Sequence, residues 1–169
     1  DLQSNTCENN EESGIAYFDD AKGQAVGNYF RKNKKSGIEI TGTAAPTLEN
    51  NICEGNEAAG IAYLQNAKGQ AVGNQCRTNK MNGINVQGSA APTLENNICE
   101  GNDIVGIAYL GNATGKASGN QCRMNNYHGI SVQGSAGPTL ENNICEGNEQ
   151  AGIAYLGNAT GKASGNQNR

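Results

Sequence analysis

Six cysteines, one histidine and sixteen acidic side chains are the groups in this 169-residue chain best suited to chemistry. Five of the cysteines, Cys53, Cys76, Cys99, Cys122 and Cys145, recur every 23 residues, and Cys7 stands 46 residues before the first of them. Zinc centres gather their ligands at close spacings such as Cys-x-x-Cys, so this even recurrence argues against a metal site. Stacked cysteines would lie within disulfide range, but side chains in a parallel ladder point the same way and bridging would distort the strand. The series therefore reads as a column of buried free thiols acting as small apolar groups, which favours a reducing or redox-neutral compartment.

The other reactive groups have equally plain readings. Acid–base chemistry requires two carboxylates at a defined separation on one face. Here Glu49, Glu95 and Glu141 recur every second repeat, about 9.6 Å apart if successive repeats stack as strands, and Asp19-Asp20 suits a turn. The sole histidine, His128, lies in a turn where other repeats carry Lys35-Ser36, Met81-Asn82 or Ile104-Val105. Asn112-Ala113-Thr114 and Asn158-Ala159-Thr160 match the glycosylation acceptor pattern, but the equivalent Asn66-Ala67-Lys68 shows that the repeat itself accounts for those asparagines. No residue is assigned as catalytic, cofactor-binding or metal-ligating.

The elements that would position such groups follow from the period. Thr-Leu-Glu-Asn-Asn-Ile-Cys-Glu-Gly-Asn occurs at 47–56, 93–102 and 139–148, and each 46-residue unit splits into two related halves. Counted from Asn5, Asn28, Asn51, Asn74, Asn97, Asn120 and Asn143, seven 23-residue coils cover 5–165 without an insertion. Position 6 of each coil is always Asn, position 10 Gly, position 11 Ile and position 17 Ala. Gly-Ile-x-Tyr or Gly-Ile-x-Val alternates with period two, as a short strand does, and further strands fit positions 20–22 and 2–4. Three strands of three to five residues per coil, parted by Gly, Asn and Pro turns, specify an all-β, right-handed parallel β-helix, a single solenoid over 1–169. The Leu frame of leucine-rich repeats and the Gly-Gly-x-Gly-x-Asp motif of calcium-binding solenoids are both absent.

Alternation between odd and even coils refines this picture. Coils with Tyr at position 13 have Ala at position 21 (Tyr63 with Ala71), and coils with Ile or Val there have Leu (Val86 with Leu94), which keeps the core volume constant. Position 4 reads Glu8, Arg31, Glu54, Arg77, Glu100, Arg123, Glu146, Arg169, so each charge is expected between two of opposite sign and a one-coil slip would align like charges. Asn at positions 1 and 6, with Asn or Gly at 23, is expected in left-handed or bridge turns, with the side-chain amides stacking along the solenoid. A net charge of −4 and a pI near 5.0 exclude the basic stripe of a nucleic-acid binder, and no apolar run is long enough to enter a membrane.

The recurring Gly-Ile-x-Val/Tyr, Pro-Thr-Leu-Glu-Asn-Asn and Glu-Gly-Asn segments resemble the parallel β-helix repeat family of carbohydrate-binding and sugar-hydrolase type domains. The chain is also similar to the β-helix part of F-box adaptors, which implies a recognition module. The resemblance implies a fold that hosts lyases, epimerases and noncatalytic scaffolds alike. Catalytic members interrupt the repeat with loops bearing Asp clusters, Arg or Lys, whereas these coils are of uniform length. The expectation is a noncatalytic scaffold or binding module for a protein or glycan partner, without a cofactor. The alternative is a carbohydrate-active β-helix with catalytic elements outside this segment.

The last two odd coils differ only at Asp103/Glu149, Ile104/Gln150 and Val105/Ala151, so variation concentrates just ahead of the glycine at position 10. Stacking is expected to gather Met81, Ile104, Val105, Tyr127 and His128 on one ridge, with Met124 nearby, as a partner-contact patch. A second contact surface is the outward side of the Gly-Ile strand, expected to be flat and mildly apolar. Ice binding would need an unbroken Thr column, and the one at position 20 is interrupted by Gln24, Gln70, Lys116 and Lys162. Asp1 to Ser4 and Asn166 to Arg169 enter and leave without a polar cap, so a segment of a longer chain, or head-to-tail self-association, is expected.

Overall fold

The computed structural model describes residues 1–169. It contains strands and turns but no helix, and none that is long and apolar enough to cross a membrane. The strands form three parallel sheets. Sheet A stacks the position 20–22 strands from Leu2–Gln3 to Lys162–Ser164, and sheet B the position 2–4 strands from Thr6–Glu8 to Gln167–Asn168. Sheet C stacks the Gly-Ile strands from Ile15–Tyr17 to Ile153–Gly157. Every strand pairs with its counterpart one coil away, in register, as with Cys76 between Cys53 and Cys99. The sheets thus confirm the coil boundaries and strand positions read from the period.

One core runs the length of the stack. The cysteine, isoleucine and position 17 alanine columns line it, and so do the alternating Tyr/Ala and Val/Leu pairs: Tyr63, Ala71, Val86 and Leu94 are all fully buried in one cluster. Small residues suffice because three short walls leave little space between them, and the large side chain of one wall falls on the coil where the opposite wall is small. The hydroxyls of Tyr63 and Tyr109 are buried with no hydrogen-bond partner, and burial pushes both phenols far above their ordinary value.

The asparagines at positions 1 and 6 differ from the turn role expected of them. None of those columns has positive φ; the left-handed residues lie at positions 5, 15, 19 and 23, occupied for example by Thr78, Gln65, Gly69 and Asn96. Positions 1 and 6 carry the stacked amide ladders expected of them, and these are buried. The backbone N–H and the Nδ2 of Asn102 both donate to Oδ1 of Asn125 at 3.1 Å or less, and Nδ2 also donates to the carbonyl of Cys76 at 3.0 Å. Its own Oδ1 accepts the N–H and Nδ2 of Asn79 at 3.1 and 3.0 Å. Asn97 repeats the pattern at position 1, between Asn74 and Asn120. Each side-chain amide thereby fills both donors and both acceptor sites, as a buried amide requires.

Glycine at position 10 is likewise not a turn residue. A Cβ on Gly83 would lie 2.6 Å from the carbonyl oxygen of Gly106 and 2.9 Å from Cβ of Cys99, so the column is glycine because the next coil leaves no room. The charge ladder forms on one side only. Arg31 pairs with Glu8, and Arg77 with Glu54 at 3.7 Å, whereas Arg123 turns to Gln121 in its own strand. These pairs are well exposed and each contributes at most about 1 kcal/mol.

Two stability predictions follow from the interior. Asn102→Ala would orphan two buried donors on Asn79, at about 1–3 kcal/mol each, so urea unfolding should show a loss of roughly 2–6 kcal/mol. Asn10→Ala in the exposed first coil should lose under about 1 kcal/mol, and equal losses would deny the ladder its role. Tyr109→Phe removes a buried hydroxyl that has no partner and should leave the unfolding midpoint unchanged or raise stability by about 1 kcal/mol.

Candidate functional site

Position 8 forms a continuous backbone ladder along one corner of the solenoid. Met81 N–H donates to Ala58, Ile104 to Met81, Tyr127 to Ile104 and Gln150 to Tyr127, at 2.8–3.2 Å. The side chains stack into a ridge on which Met81 and Tyr127 are 46% and 53% exposed and Ile104 is half-buried. This part of the expected patch is brought together.

The rest of the patch is not. Val105, at position 9, is 3% exposed, and its N–H is held by Oδ1 of Asn82 at 3.3 Å. It is buried beneath the ridge without belonging to the core cluster and offers little contact surface. His128 takes the equivalent place one coil on, where Nδ1 accepts the N–H of Ala151 at 3.2 Å and the ring meets Tyr127 edge-on at 6.4 Å. Its visible role is to bridge two coils, as Asn82 does. Met124 is exposed but sits at position 5, on the left-handed corner after sheet B, packed over Gly147. The buried asparagine ladder at position 6 separates it from the ridge.

The outward face of sheet C is a trough, not the flat surface expected of it. Position 12 points away from the core, yet Ala62, Ala108 and Ser131 are only 5%, 2% and 0% exposed. Ala62 and Ala108 are buried without belonging to the core cluster, so the rims at positions 8 and 14 overhang them. A concavity of about 140 Å³ opens there over coils 2 to 4, lined by Glu39 of coil 2 and by Ala59, Ala62, Leu64, Met81 and Asn85 among others. A second lies across the Leu64 rim against Gln87 and Gly88. The hollow bounded by Ile153, Tyr155 and Ala163 is the open end of the core at the last coil.

The trough is ordered as rungs across positions 9, 12 and 14. Coil 4 is polar: Asn82 Nδ2 donates to Asn85 Oδ1 at 3.1 Å, and Asn85 reaches Gln87 at 3.5 Å. In coil 6, Gln133 Nε2 donates to Ser131 Oγ at 2.9 Å. Coils 3, 5 and 7 are apolar in the same places, as Ala59, Ala62 and Leu64 illustrate. Sequence reasoning reached this face but took it as flat, because strict strand alternation makes position 12 an exposed site. The signal for a hollow was the small residue at position 12 in most coils beside the longer residues of position 14.

No three His, Cys, Asp or Glu side chains converge as a metal site would require. The inner thiols are held protonated. Hydrogen bonding with Cys53 and then burial push up Cys76, and Cys122 and then burial push up Cys145. For Cys99 and Cys122 the next thiol pulls down, but the preceding thiol and burial carry the balance upward. A buried, protonated thiol is not a nucleophile.

Comparison with known proteins places this geometry. The family model described as "Right handed beta helix region" matches residues 1–76 and 66–168. No curated protein matches. Among solved structures, the periplasmic alginate epimerase AlgG is similar with a TM-score of 0.70 at 16% identity, covering 94% of this chain and 43% of that one. A mutant of AlgG reaches 0.76 at 20% identity, over 92% of this chain and 36% of that chain. The A-module of the mannuronan C-5 epimerase AlgE6 of Azotobacter vinelandii gives 0.67 at 18% identity, over 99% and 58%. The chain therefore spans well under two thirds of the length of each structure.

Folded thiols hold their protons more tightly than unfolded ones, so above about pH 8.5, the ordinary thiol value, the unfolded state binds fewer protons. The stability they confer is complete below that pH and is lost as pH rises toward the folded values. Denaturant midpoints should fall steeply between pH 8.5 and 10, and Cys76→Ala/Cys99→Ala should flatten the slope; a pH-independent midpoint contradicts the protonated column.

Proposed function

The chain belongs to the right-handed parallel β-helix family, and from that premise we propose that it is a noncatalytic binding module or scaffold that receives a glycan on sheet C. The observation carrying this reading is the trough itself, a groove walled by the Met81–Ile104–Tyr127 ridge that crosses coils of unvarying length. Enzymes on this fold need reacting groups raised over the groove, and no inserted loop or carboxylate pair stands over this one. Aromatic and apolar walls with a few fixed amides are the usual furniture of a recognition site. The epimerases that share the fold act, by their names, on alginate and mannuronan, which supports a carbohydrate as the bound class.

The share of those structures left uncovered supports a second reading, in which residues outside 1–169 supply catalysis over the same groove. A glycan array combined with lyase, hydrolase and epimerase assays separates the two. The purified chain should bind a subset of linear glycans without altering them, and turnover of any polyuronate by residues 1–169 alone would refute the noncatalytic reading. The triple variant Met81→Ser, Ile104→Ser, Tyr127→Ser should weaken binding at least tenfold while the circular dichroism spectrum stays that of the intact stack. Undiminished binding by the variant would remove the ridge from the site.

A further inference from the structure

We infer that the trough of sheet C is built for an uncharged linear polysaccharide lying along the solenoid axis, one sugar to each coil. The inference rests on the glycan-binding reading above and adds the charge and the repeat of the ligand. Along positions 8, 9, 12 and 14, coils 3 to 7 carry no Lys, Arg, Asp or Glu, and His128 is the only titratable group apart from the phenol of Tyr127; the one charged side chain lining the concavity, Glu39 of coil 2, is an anion and would itself repel a carboxylate. The charges of those coils are placed elsewhere: Arg77 with Glu54 on sheet B, Lys116 with Glu141 on sheet A, and Lys80 with Asp103 at position 7, outside the rungs. A polymer bearing a carboxylate on every sugar would have to desolvate those groups against alanine, leucine and neutral amides, with no cation to receive them. The net charge of −4 adds a general repulsion.

The spacing selects the polymer. Rungs lie about 4.8 Å apart and their polar and apolar character repeats every second coil, about 9.6 Å. An extended β-1,4-linked pyranose chain advances close to one rung per ring and turns over at each link, so it repeats every two sugars. Alternate rings would then present opposite edges to the trough, the 2,3-hydroxyl edge to the Asn82–Asn85–Gln87 and Ser131–Gln133 rungs and the C5–C6 edge to the Leu64, Leu110 and Leu156 rungs. A peptide strand advances about 3.3 Å per residue and falls out of phase with the rungs within a few residues. Tyr127, exposed on the wall, offers an aromatic face of the kind that packs against sugar rings.

The matched test titrates the purified chain with the hexamers of β-1,4-mannan and β-1,4-mannuronan, which differ only in the carboxylate, with the β-1,4-glucan hexamer as a third probe. A neutral hexamer should bind at least tenfold more tightly than the mannuronan hexamer, with an affinity unchanged between low and high salt, and its trimer should bind far more weakly. Hydrogen exchange should slow along sheet C. Gln133→Lys should raise mannuronan affinity about tenfold. Mannuronan binding equal to or tighter than the neutral hexamers overturns this inference and leaves the glycan-binding module standing. Protection confined to sheets A and B overturns the placement, and failure of all three hexamers to bind overturns both this inference and the reading beneath it.

Discussion

The structure depends on the two asparagine ladders. Each inner asparagine at positions 1 and 6 is a buried amide whose partners, save for a few contacts within its own coil, come from the coils on either side. An unpaired buried amide is costly, so every coil must present its asparagines at the same height and angle as its neighbours. One inserted residue between positions 6 and 1 would displace both ladders. That constraint explains why seven coils keep one length. It also explains why the outer surface is an array of columns, since any side chain at a given position is stacked on its equivalents by the same ladders.

Within that frame the odd and even coils divide the work. Tyr opposite Ala and Val opposite Leu keep the lumen filled, and the same alternation reaches the outside of sheet C as apolar and amide rungs. Left-handed corners follow a similar rule. At position 5, Lys32, Thr78 and Met124 are each followed one coil on by a glycine whose open side their side chains cover. The two-coil repeat is thus a packing solution first, and the ordered surface of the trough is its consequence.

Much of this was legible because a repeat announces its own alignment. The coil boundaries, strand positions and core columns all follow from counting to 23. The site was only partly legible. Met81, Ile104 and Tyr127 share a position and therefore a ridge, but Val105 and Met124 looked equally available although one is covered by the ridge and the other lies beyond a buried ladder. Period counting assigns a residue to a column without saying how far the backbone turns at the corner between two columns.

The sequence by itself determined the solenoid, its seven coils and the register of their stacking, because each of these is a property of spacing and residue size that every coil repeats. Tertiary structure alone decided that the ladder asparagines of positions 1 and 6 are not the left-handed corners, and whether sheet C is flat or hollow. Both depend on corner geometry: at the left-handed positions 5 and 15 the chain changes direction, and the rims that flank sheet C rise over the outward alanines. That angle is set by the fit of three sheets around one shared core, and no single coil contains it.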